Sequence, residues 1–157
     1  MQTYPMTING AKQLENELIR LKTIERPGVI QAISEARSHG DLSENAEYDA
    51  AKEKQAFIEG RIAEIESKLS LANIIDPTKV ENNGRIIFGL KVELFDLETE
   101  KSVCYQIVGD DEADISIGKI SVNSPVAKSL IGKEIGQVVE IKVPNGIKEY
   151  EILDTYL

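Results

Sequence analysis

Two carboxylates, Asp41 and Glu44, stand three positions apart in the stretch GDLSENAEYDAAKE, residues 40–53. On a helix this spacing puts both side chains on one face, with Cβ atoms about 5–6 Å apart. Such a pair can hold one divalent cation, because Mg²⁺ takes one or two protein carboxylates and completes its octahedron with water and phosphate oxygens. The two acids therefore predict weak metal binding, which becomes a competent site only when another molecule supplies further ligands.

A structural explanation of the same acids stays open. The pattern D-x-x-E at a helix start is a variant of the capping box, with Asp41 at the N-cap and Glu44 at the third helical position. Acids in a first turn also complement the helix dipole. A capping box needs only these two residues, whereas Glu47 and Asp49 add two more acids before the first base, Lys52. This excess of acids favours a functional role for the turn.

Arg37 and Lys52 flank the acids and are candidates for holding a nucleic-acid backbone near a metal. Arg37 stands four residues before Asp41 and Lys52 eight after Glu44, which on a helix are about 6 Å and 12 Å along the axis. Alternatively, both bases solvate the surface or pair with the acids. His39, the single histidine, could act as a base, although a lone histidine in an exposed turn is more often inert.

The elements that must position these residues are two helices, one on each side of the acids. Thr7 is a suitable N-cap for the first, and Pro27–Gly28 predicts a break or kink in it. Two apolar series step by three and four, the spacing of a two-helix seam. They are Leu14, Leu18, Leu21, Ile30 and Ile33, and then Ile58, Ile62, Ile65 and Leu69. The series predict an antiparallel hairpin, with the second helix starting near residue 43 and residues 39–44 at the tip.

The second half has the periodicity of strands. After a linker around Pro77, the runs KVELFDL, SVCYQIV, VVEIKV and EYEIL alternate apolar and polar residues. Asn145–Gly146 predicts a hairpin turn between the last two runs. Cys104 lies in a strand pattern and is expected in the core.

One short helix interrupts the predicted strands. Ser124 is a suitable N-cap, Pro125 a suitable first helical residue and Gly132 a suitable stop. The fold class is therefore α+β: residues 1–76 form the helical hairpin with its acidic tip, and residues 77–157 form a small antiparallel sheet with one short helix.

Charge and composition limit the function. The chain has 157 residues and a net charge of −9, which argues against broad, non-specific binding to nucleic acid. The first 75 residues carry 9 bases and 12 acids and the rest 9 and 15, so a local nucleic-acid contact belongs to the first half. The single cysteine fits a reducing compartment. With no signal peptide and no membrane-length apolar run, the sequence predicts a cytoplasmic protein.

The stretch ARSHGDLSENAEYDAAKEKQ, residues 36–55, resembles the acidic tip of the bacterial transcript-cleavage factors of the GreA/GreB family. The likeness runs along essentially the whole chain and is far more specific than any single motif. It includes PMTINGAKQLENEL near the start, RP at 26–27, RIAEIESKLSLANIID at 61–76, NNGRIIFG at 82–89, IVGDDEAD at 107–114 and ISVNSPVAKSLIGKEIG at 120–136.

The resemblance implies an accessory factor of RNA polymerase rather than an enzyme. It implies that the coiled-coil hairpin enters the polymerase secondary channel while the second domain, FKBP-like in fold, docks outside. Asp41 and Glu44 would help to hold a second Mg²⁺ and the attacking water, with polymerase carboxylates and the polymerase's own Mg²⁺ completing the site. Backtracked nascent RNA would then be cut hydrolytically, which frees a new 3′ end and rescues arrested complexes.

Carried over residue by residue, Arg37 and Lys52 would contact RNA near its 3′ end. Asn123, Ser124 and Pro125 lie in the segment that the family uses against the polymerase, although a plain helix N-terminus is the alternative. The resemblance also implies a bacterial, DNA-binding transcription protein that needs no membrane and has no tightly bound cofactor, and nothing in the sequence demands more than a monomer.

Three other function classes remain open. A paralogue of the same shape could block the polymerase channel, a Mg²⁺-dependent nuclease could act alone, and a hairpin chaperone could use its tip. The acidic tip argues against a blocker and a chaperone, and the scarcity of metal ligands argues against a nuclease. Prolyl isomerase activity needs an aromatic-lined pocket, which a half without tryptophan does not predict.

Overall fold

A computed structural model of the chain describes residues 2–38, 40 and 45–157. Contacts divide the chain into two compact units. The hairpin unit comprises Lys12–Ala72 with the first three residues, and the sheet unit comprises Tyr4–Ala11 with Asn73–Leu157. The predicted two-part α+β architecture is confirmed. The units differ from the predicted division at residue 76 mainly because residues 4–11 belong to the sheet unit.

The hairpin unit is built from three α-helical segments. Helix α1 (Ile8–Arg20) leads through a π-helical segment (Leu21–Glu25) into α2 (Arg26–Arg37), and α3 (Ala46–Ser70) returns. The predicted cap of α1 is confirmed, because the Gly10 amide donates to the Thr7 hydroxyl at 2.9 Å.

The predicted break at Pro27–Gly28 is instead a change of helix type. The Arg26 amide donates to the carbonyl of Leu21, five residues earlier, and Pro27 follows in the first turn of α2. A proline has no N–H to donate and its ring crowds the preceding turn. The wider π turn accommodates both effects without ending the helix.

The π-helical segment shifts the apolar seam by one residue. Leu21 and Val29 are buried, whereas Ile30, which the sequence placed in the seam, is 52% exposed. A π turn takes one residue more than an α turn, so the buried stripe resumes one residue later than the regular repeat of seven from Leu21, at Val29. Leu14, Ile58, Ile62 and Ile65 are buried as predicted.

Matched alanine substitutions test this register. We expect Val29→Ala to lower the free energy of unfolding of the hairpin by about 1–2 kcal/mol, since it removes buried methyl groups. Ile30→Ala should change it by no more than about 0.5 kcal/mol, because this side chain is largely exposed. Denaturant unfolding followed by far-UV circular dichroism measures both. A larger loss for Ile30→Ala would contradict the shifted register.

The two arms of the hairpin run antiparallel and are joined by polar pairs along their edges. Ala36 pairs with Asn45, Arg26 with Glu59, and Lys22 with Glu66. The residue numbers thus fall along the first arm while they rise from the N-cap of α3 along that helix. Exposed pairs of this kind contribute little to stability individually. Their consistent order nevertheless fixes the direction of α3 against the first arm.

One ion pair of the hairpin gives a pH dependence. Arg61 donates to the Glu17 carboxylate from Nε at 2.7 Å and from Nη2 at 2.9 Å. These hydrogen bonds hold the pKa of Glu17 below its ordinary value. Because the folded pKa is the lower one, the pair stabilises the hairpin above the unfolded pKa, and that contribution is lost as pH falls through the folded pKa.

Two short strands, β1 (Tyr4–Met6) and β2 (Ala72–Ile74), pair with each other. The larger sheet of the sheet unit has five strands: β3 (Lys91–Asp96), β4 (Ser102–Val108), β5 (Lys119–Ser121), β6 (Val138–Val143) and β7 (Gly146–Tyr156). Their order across the sheet is β5-β4-β3-β7-β6. All neighbours in the larger sheet are antiparallel except β4 and β5, which are parallel. The sheet is thus mostly, rather than wholly, antiparallel.

Alternation along the strands builds the core of the sheet unit. In β3, Val92 and Leu94 are buried on one face, as the run KVELFDL predicts. The core also includes Ile86, Phe88, Ile107, Ile120, Ala127, Leu130, Val139, Ile141 and Ile152. Cys104 is not part of it: the predicted core position is wrong, because Cys104 projects from the exposed face with its Sγ 3.1 Å from Tyr156 Oη.

The predicted turn and short helix of this unit are both present. Helix α4 spans Pro125–Leu130 with Ser124 as its N-cap. The hairpin between β6 and β7 is confirmed, but Val143 pairs with Gly146, so the two turn residues are Pro144 and Asn145. Gly146 instead begins β7 with φ of 135°, a conformation that favours glycine.

A buried polar cluster attaches residues 4–11 to the rest of the sheet unit. Thr7 donates its hydroxyl to the Glu112 carboxylate, and Lys119 Nζ lies 3.4 Å from the other carboxylate oxygen. A Cβ at Gly10 would lie 2.6 Å from Glu112 Oε2, so any larger residue here would require the Glu112 carboxylate to move.

Within residues 2–38, 40 and 45–157, no helix is both long and apolar enough to cross a membrane.

Candidate functional site

The predicted catalytic carboxylates belong to the connection between α2 and α3, residues 38–45. Asp41, Glu44 and also His39 lie outside the described residues. The described positions of the connection are Ser38, Gly40 and Asn45. Asp41 and Glu44 therefore stay predictions, and the structure defines the ends between which they are held.

Asn45 joins both ends of the connection, a role that sequence reasoning missed. Its side-chain Nδ2 donates to the carbonyl of Ala36 at 2.6 Å, in the last turn of α2. Its Oδ1 accepts from the backbone amide of Tyr48 at 3.1 Å, which makes Asn45 the N-cap of α3. One side chain thus ties the end of one helix to the start of the next. Asparagine before a helical run is a strong cap signal, and it could have marked this boundary.

This cap corrects the structural explanation of the acidic stretch. Helix α3 begins at Ala46 rather than near residue 43, so Asp41 is not its N-cap. The acids of its first turn are Glu47 and Asp49. Their favourable interaction with the positive end of the helix dipole is enough to explain both acids. Glu47 and Asp49 are therefore no longer an argument for a functional role of the turn.

Arg37 and Lys52, from opposite arms of the hairpin, line the same groove. This groove of about 320 Å³ is also lined by Ile30, Ile33, Ser34 and Gln55. Both basic side chains are exposed, and Lys52 Nζ donates to Gln55 Oε1 at 3.2 Å. Neither base forms an ion pair with an acid among residues 2–38, 40 and 45–157, and pairing with Asp41 or Glu44 lies outside the described residues.

The predicted docking residues lie together at the start of α4. The Ser124 hydroxyl accepts from the Ala127 amide at 3.2 Å, and the Ser124 amide donates to the carbonyl of Ser121 at 2.9 Å. Asn123 and Pro125 are exposed on either side of this cap. The segment is therefore a regular helix N-terminus and also an accessible surface.

A metal site is not formed by the described residues alone. Across residues 2–38, 40 and 45–157, no group of three or more His, Cys, Asp or Glu side chains lies close enough to hold an ion. Asp41 and Glu44 offer the oxygen ligands that Mg²⁺ prefers, but two carboxylates only begin its coordination shell.

Substitution of Asn45 tests its part in holding the connection. We expect Asn45→Ala to lower the stability of the hairpin unit by about 1–2 kcal/mol, since it removes an N-cap and the bond to Ala36. Asn45→Asp keeps the acceptor for the Tyr48 amide but replaces the donor to Ala36 by a carboxylate oxygen, so it should retain only part of the stability. Thermal melting compares the three proteins. Equal stability of Asn45→Asp and wild type would show that the bond to Ala36 contributes nothing.

Comparison with protein families covers both halves of the chain. Residues 4–74 match the model described as "Transcription elongation factor, N-terminal", and residues 81–156 match that described as "Transcription elongation factor, GreA/GreB, C-term". The chain belongs to the GreA/GreB family. The resemblance found in the sequence is thereby confirmed along nearly the whole chain.

Individual members of the GreA/GreB family are closely similar in sequence. Transcription elongation factor GreA of Neisseria meningitidis serogroup A is 60% identical over 154 residues, which cover 98% of each chain. That of Thioalkalivibrio sulfidiphilus is 61% identical over 153 residues, which cover 98% of this chain and 97% of the other. The solved GreA factor homolog 1 of Thermus thermophilus is 28% identical, covers 99% of this chain and 100% of its own, and gives a TM-score of 0.46.

Proposed function

We propose that this protein enters the secondary channel of bacterial RNA polymerase and stimulates the polymerase's own hydrolysis of backtracked nascent RNA. Membership of a family of transcription elongation factors gives the general role. The observation that carries the specific proposal is the groove shared by Arg37 and Lys52 beside the connection that contains Asp41 and Glu44. A cationic groove beside a connection whose sequence carries two acids suits an RNA phosphate that is to be cut with the help of a metal.

Asp41 and Glu44 are the residues that would hold Mg²⁺, jointly with carboxylates of the polymerase. When bound, this ion polarises the scissile phosphate and lowers the pKa of the attacking water. The chain's own contribution is to bring two negative oxygen ligands to a channel that already contains others. The factor thereby supplies part of a catalytic site and acts as an accessory protein rather than as an enzyme.

Arg37 and Lys52 orient the RNA next to those carboxylates. Their positive charges attract the phosphates of the extruded 3′ segment, and Ile30 and Ile33 give the same groove an apolar side against which a base or sugar can rest. Contacts to phosphate position a nucleic acid without reading its sequence. We therefore expect cleavage to depend on backtracking rather than on the RNA sequence.

The sheet unit supplies the attachment to the polymerase. Asn123, Ser124 and Pro125 form the proposed docking segment, in which an exposed amide and an exposed proline ring flank the helix cap. An accessible segment held by a helix cap loses little conformational freedom on binding, which favours its use as a contact.

A backtracked complex of bacterial RNA polymerase with 3′-labelled RNA tests this function. Addition of the protein with Mg²⁺ should release a short labelled 3′ fragment faster than buffer does. Slower nucleotide addition without fragment release would instead identify a channel-blocking inhibitor. Cleavage of free RNA in the absence of polymerase would identify an independent nuclease and contradict the accessory role.

A further inference from the structure

Asp110 lies at the centre of a polar cluster beside the docking segment. Its carboxylate accepts a hydrogen bond from the Ser121 hydroxyl, and Asn123 Nδ2 lies 3.2 Å from its Oδ1 and 3.1 Å from its Oδ2. The backbone amide of Asn123 donates to the Ser121 hydroxyl at 3.0 Å. These contacts close a network over three side chains, which we call the Asp110 cluster (Asp110, Ser121 and Asn123).

The parallel pairing of β4 and β5 brings these residues together. Val108 stands opposite Ser121 in the sheet, and the Val122 amide donates to the carbonyl of Val108 at 2.8 Å. Parallel strands end at the same edge of a sheet, so the residues that follow them meet there. Asp110, two residues past the end of β4, therefore faces the chain that leads into α4.

The chemistry of the carboxylate fixes the orientation of the Asn123 side chain. An ionised carboxylate only accepts hydrogen bonds, so the amide of Asn123 must turn its NH₂ group towards Asp110. Its carbonyl Oδ1 then points away from Asp110. Asn123 is exposed, and no described residue donates to this oxygen. The docking segment consequently presents a free hydrogen-bond acceptor next to the ring of Pro125.

We infer that Asp110 is a positioning residue that holds Asn123 with its carbonyl oxygen outward, and that the polymerase surface meeting it offers an N–H donor. This inference rests on the docking proposed above. An arginine or lysine is the most suitable donor, because the outward carbonyl lies beside the negative charge of Asp110. The inference also changes the role of Asn123, because one N–H of its amide is used internally by Asp110 and the carbonyl oxygen becomes the acceptor for the partner.

Binding of full-length protein to bacterial core RNA polymerase tests the inference. Asp110→Ala should weaken the affinity roughly ten-fold. This is the lower end of the range of effects that follow the loss of a hydrogen bond to a charged group, because the site is exposed. Cleavage of backtracked RNA at saturating factor should stay at the wild-type rate, because Asp110 acts on docking and not on the reaction. Glu149→Gln removes one negative charge from an exposed residue of β7 and should bind like wild type.

An exchange of the two side chains separates positioning from a general structural role. Asn123→Asp puts two carboxylates face to face and should weaken binding at least as much as Asp110→Ala. The double variant Asp110→Asn with Asn123→Asp restores an amide–carboxylate pair, with the acceptor still outward, and should return the affinity to within a few-fold of wild type. Hydrogen exchange of the backbone amides of residues 121–127 should rise in both single variants and fall again in the double variant.

Each outcome distinguishes the inference from the proposed function. If wild type binds and Asp110→Ala binds equally well, the inference is wrong while the proposed function stands. Failure of the double variant to recover would also overturn it, since the amide–carboxylate pair would then not be what matters. If wild type itself does not bind core polymerase, both the proposed docking and the inference fail.

Discussion

Asp41→Asn and Glu44→Gln should each reduce the stimulated cleavage of backtracked RNA by about 100-fold or more, while binding to RNA polymerase stays nearly unchanged. Loss of one group that stabilises charge in a transition state typically reduces a rate by about 10²–10³-fold. The amides keep the size of the side chains but are poorer ligands for a divalent cation. The measurement is release of the labelled 3′ fragment from a backtracked complex, with affinity determined in parallel.

The chain offers a matched control for this change. Asp49 is an acid in the first turn of α3, where the helix dipole explains it. Asp49→Asn removes the same charge and should leave cleavage within a few-fold of wild type. If it reduced cleavage as much as Asp41→Asn, total charge rather than two specific ligands would be responsible. If Asp41→Asn weakened binding and cleavage equally, Asp41 would support the fold or the interface instead.

Ile62→Asp should strongly destabilise the hairpin. Ile62 is 2% exposed in the middle of the seam, so the variant buries a carboxylate without a partner. An uncompensated buried charge costs about 3–5 kcal/mol, a large part of the stability of a small unit. We expect a marked loss of far-UV helicity or a melting temperature many degrees lower.

Ile24→Asp is the control for that substitution. Ile24 lies in the first arm of the hairpin and is 64% exposed. The carboxylate of the variant therefore remains in water, and the free energy of unfolding should change by less than about 1 kcal/mol. Unchanged helicity and melting of Ile62→Asp would show that Ile62 does not lie in the seam. A loss of the same size in both variants would indicate an effect of charge on the helices rather than of burial.

Features determined by interactions within one turn were predicted correctly. The caps Thr7 and Ser124 satisfy amides three residues further along the chain, and proline follows Ser124 where its missing N–H costs nothing. Apolar spacing identified most of the seam and the buried face of β3 because a helix or strand repeats its own geometry. The acids of the connection, Asp41 and Glu44, rest on the same local evidence and on family likeness.

Errors arose where a local pattern had more than one physical solution. Pro27 can end a helix or be accommodated by a π turn, and only the continued packing of the first arm against α3 favours the π turn. The π turn then places Val29 rather than Ile30 in the seam. Cys104 alternates correctly in β4, but the alternation does not say which face the rest of the sheet unit covers. The acidic stretch likewise contains several suitable N-caps for α3, and the capping-box interpretation places Asp41 there. Asn45 is the N-cap instead, and its side chain also reaches the carbonyl of Ala36.

The sequence by itself determined the two kinds of secondary structure, the caps Thr7 and Ser124 and the family, because these depend on neighbours along the chain and on recognisable motifs. The tertiary structure alone decided which distant residues meet. Arg37 and Lys52 line one groove because two arms pack side by side, and Asp110 reaches Asn123 because β4 and β5 end at the same edge of the sheet. Such contacts join residues that no local spacing relates, so they depend on how the whole chain packs.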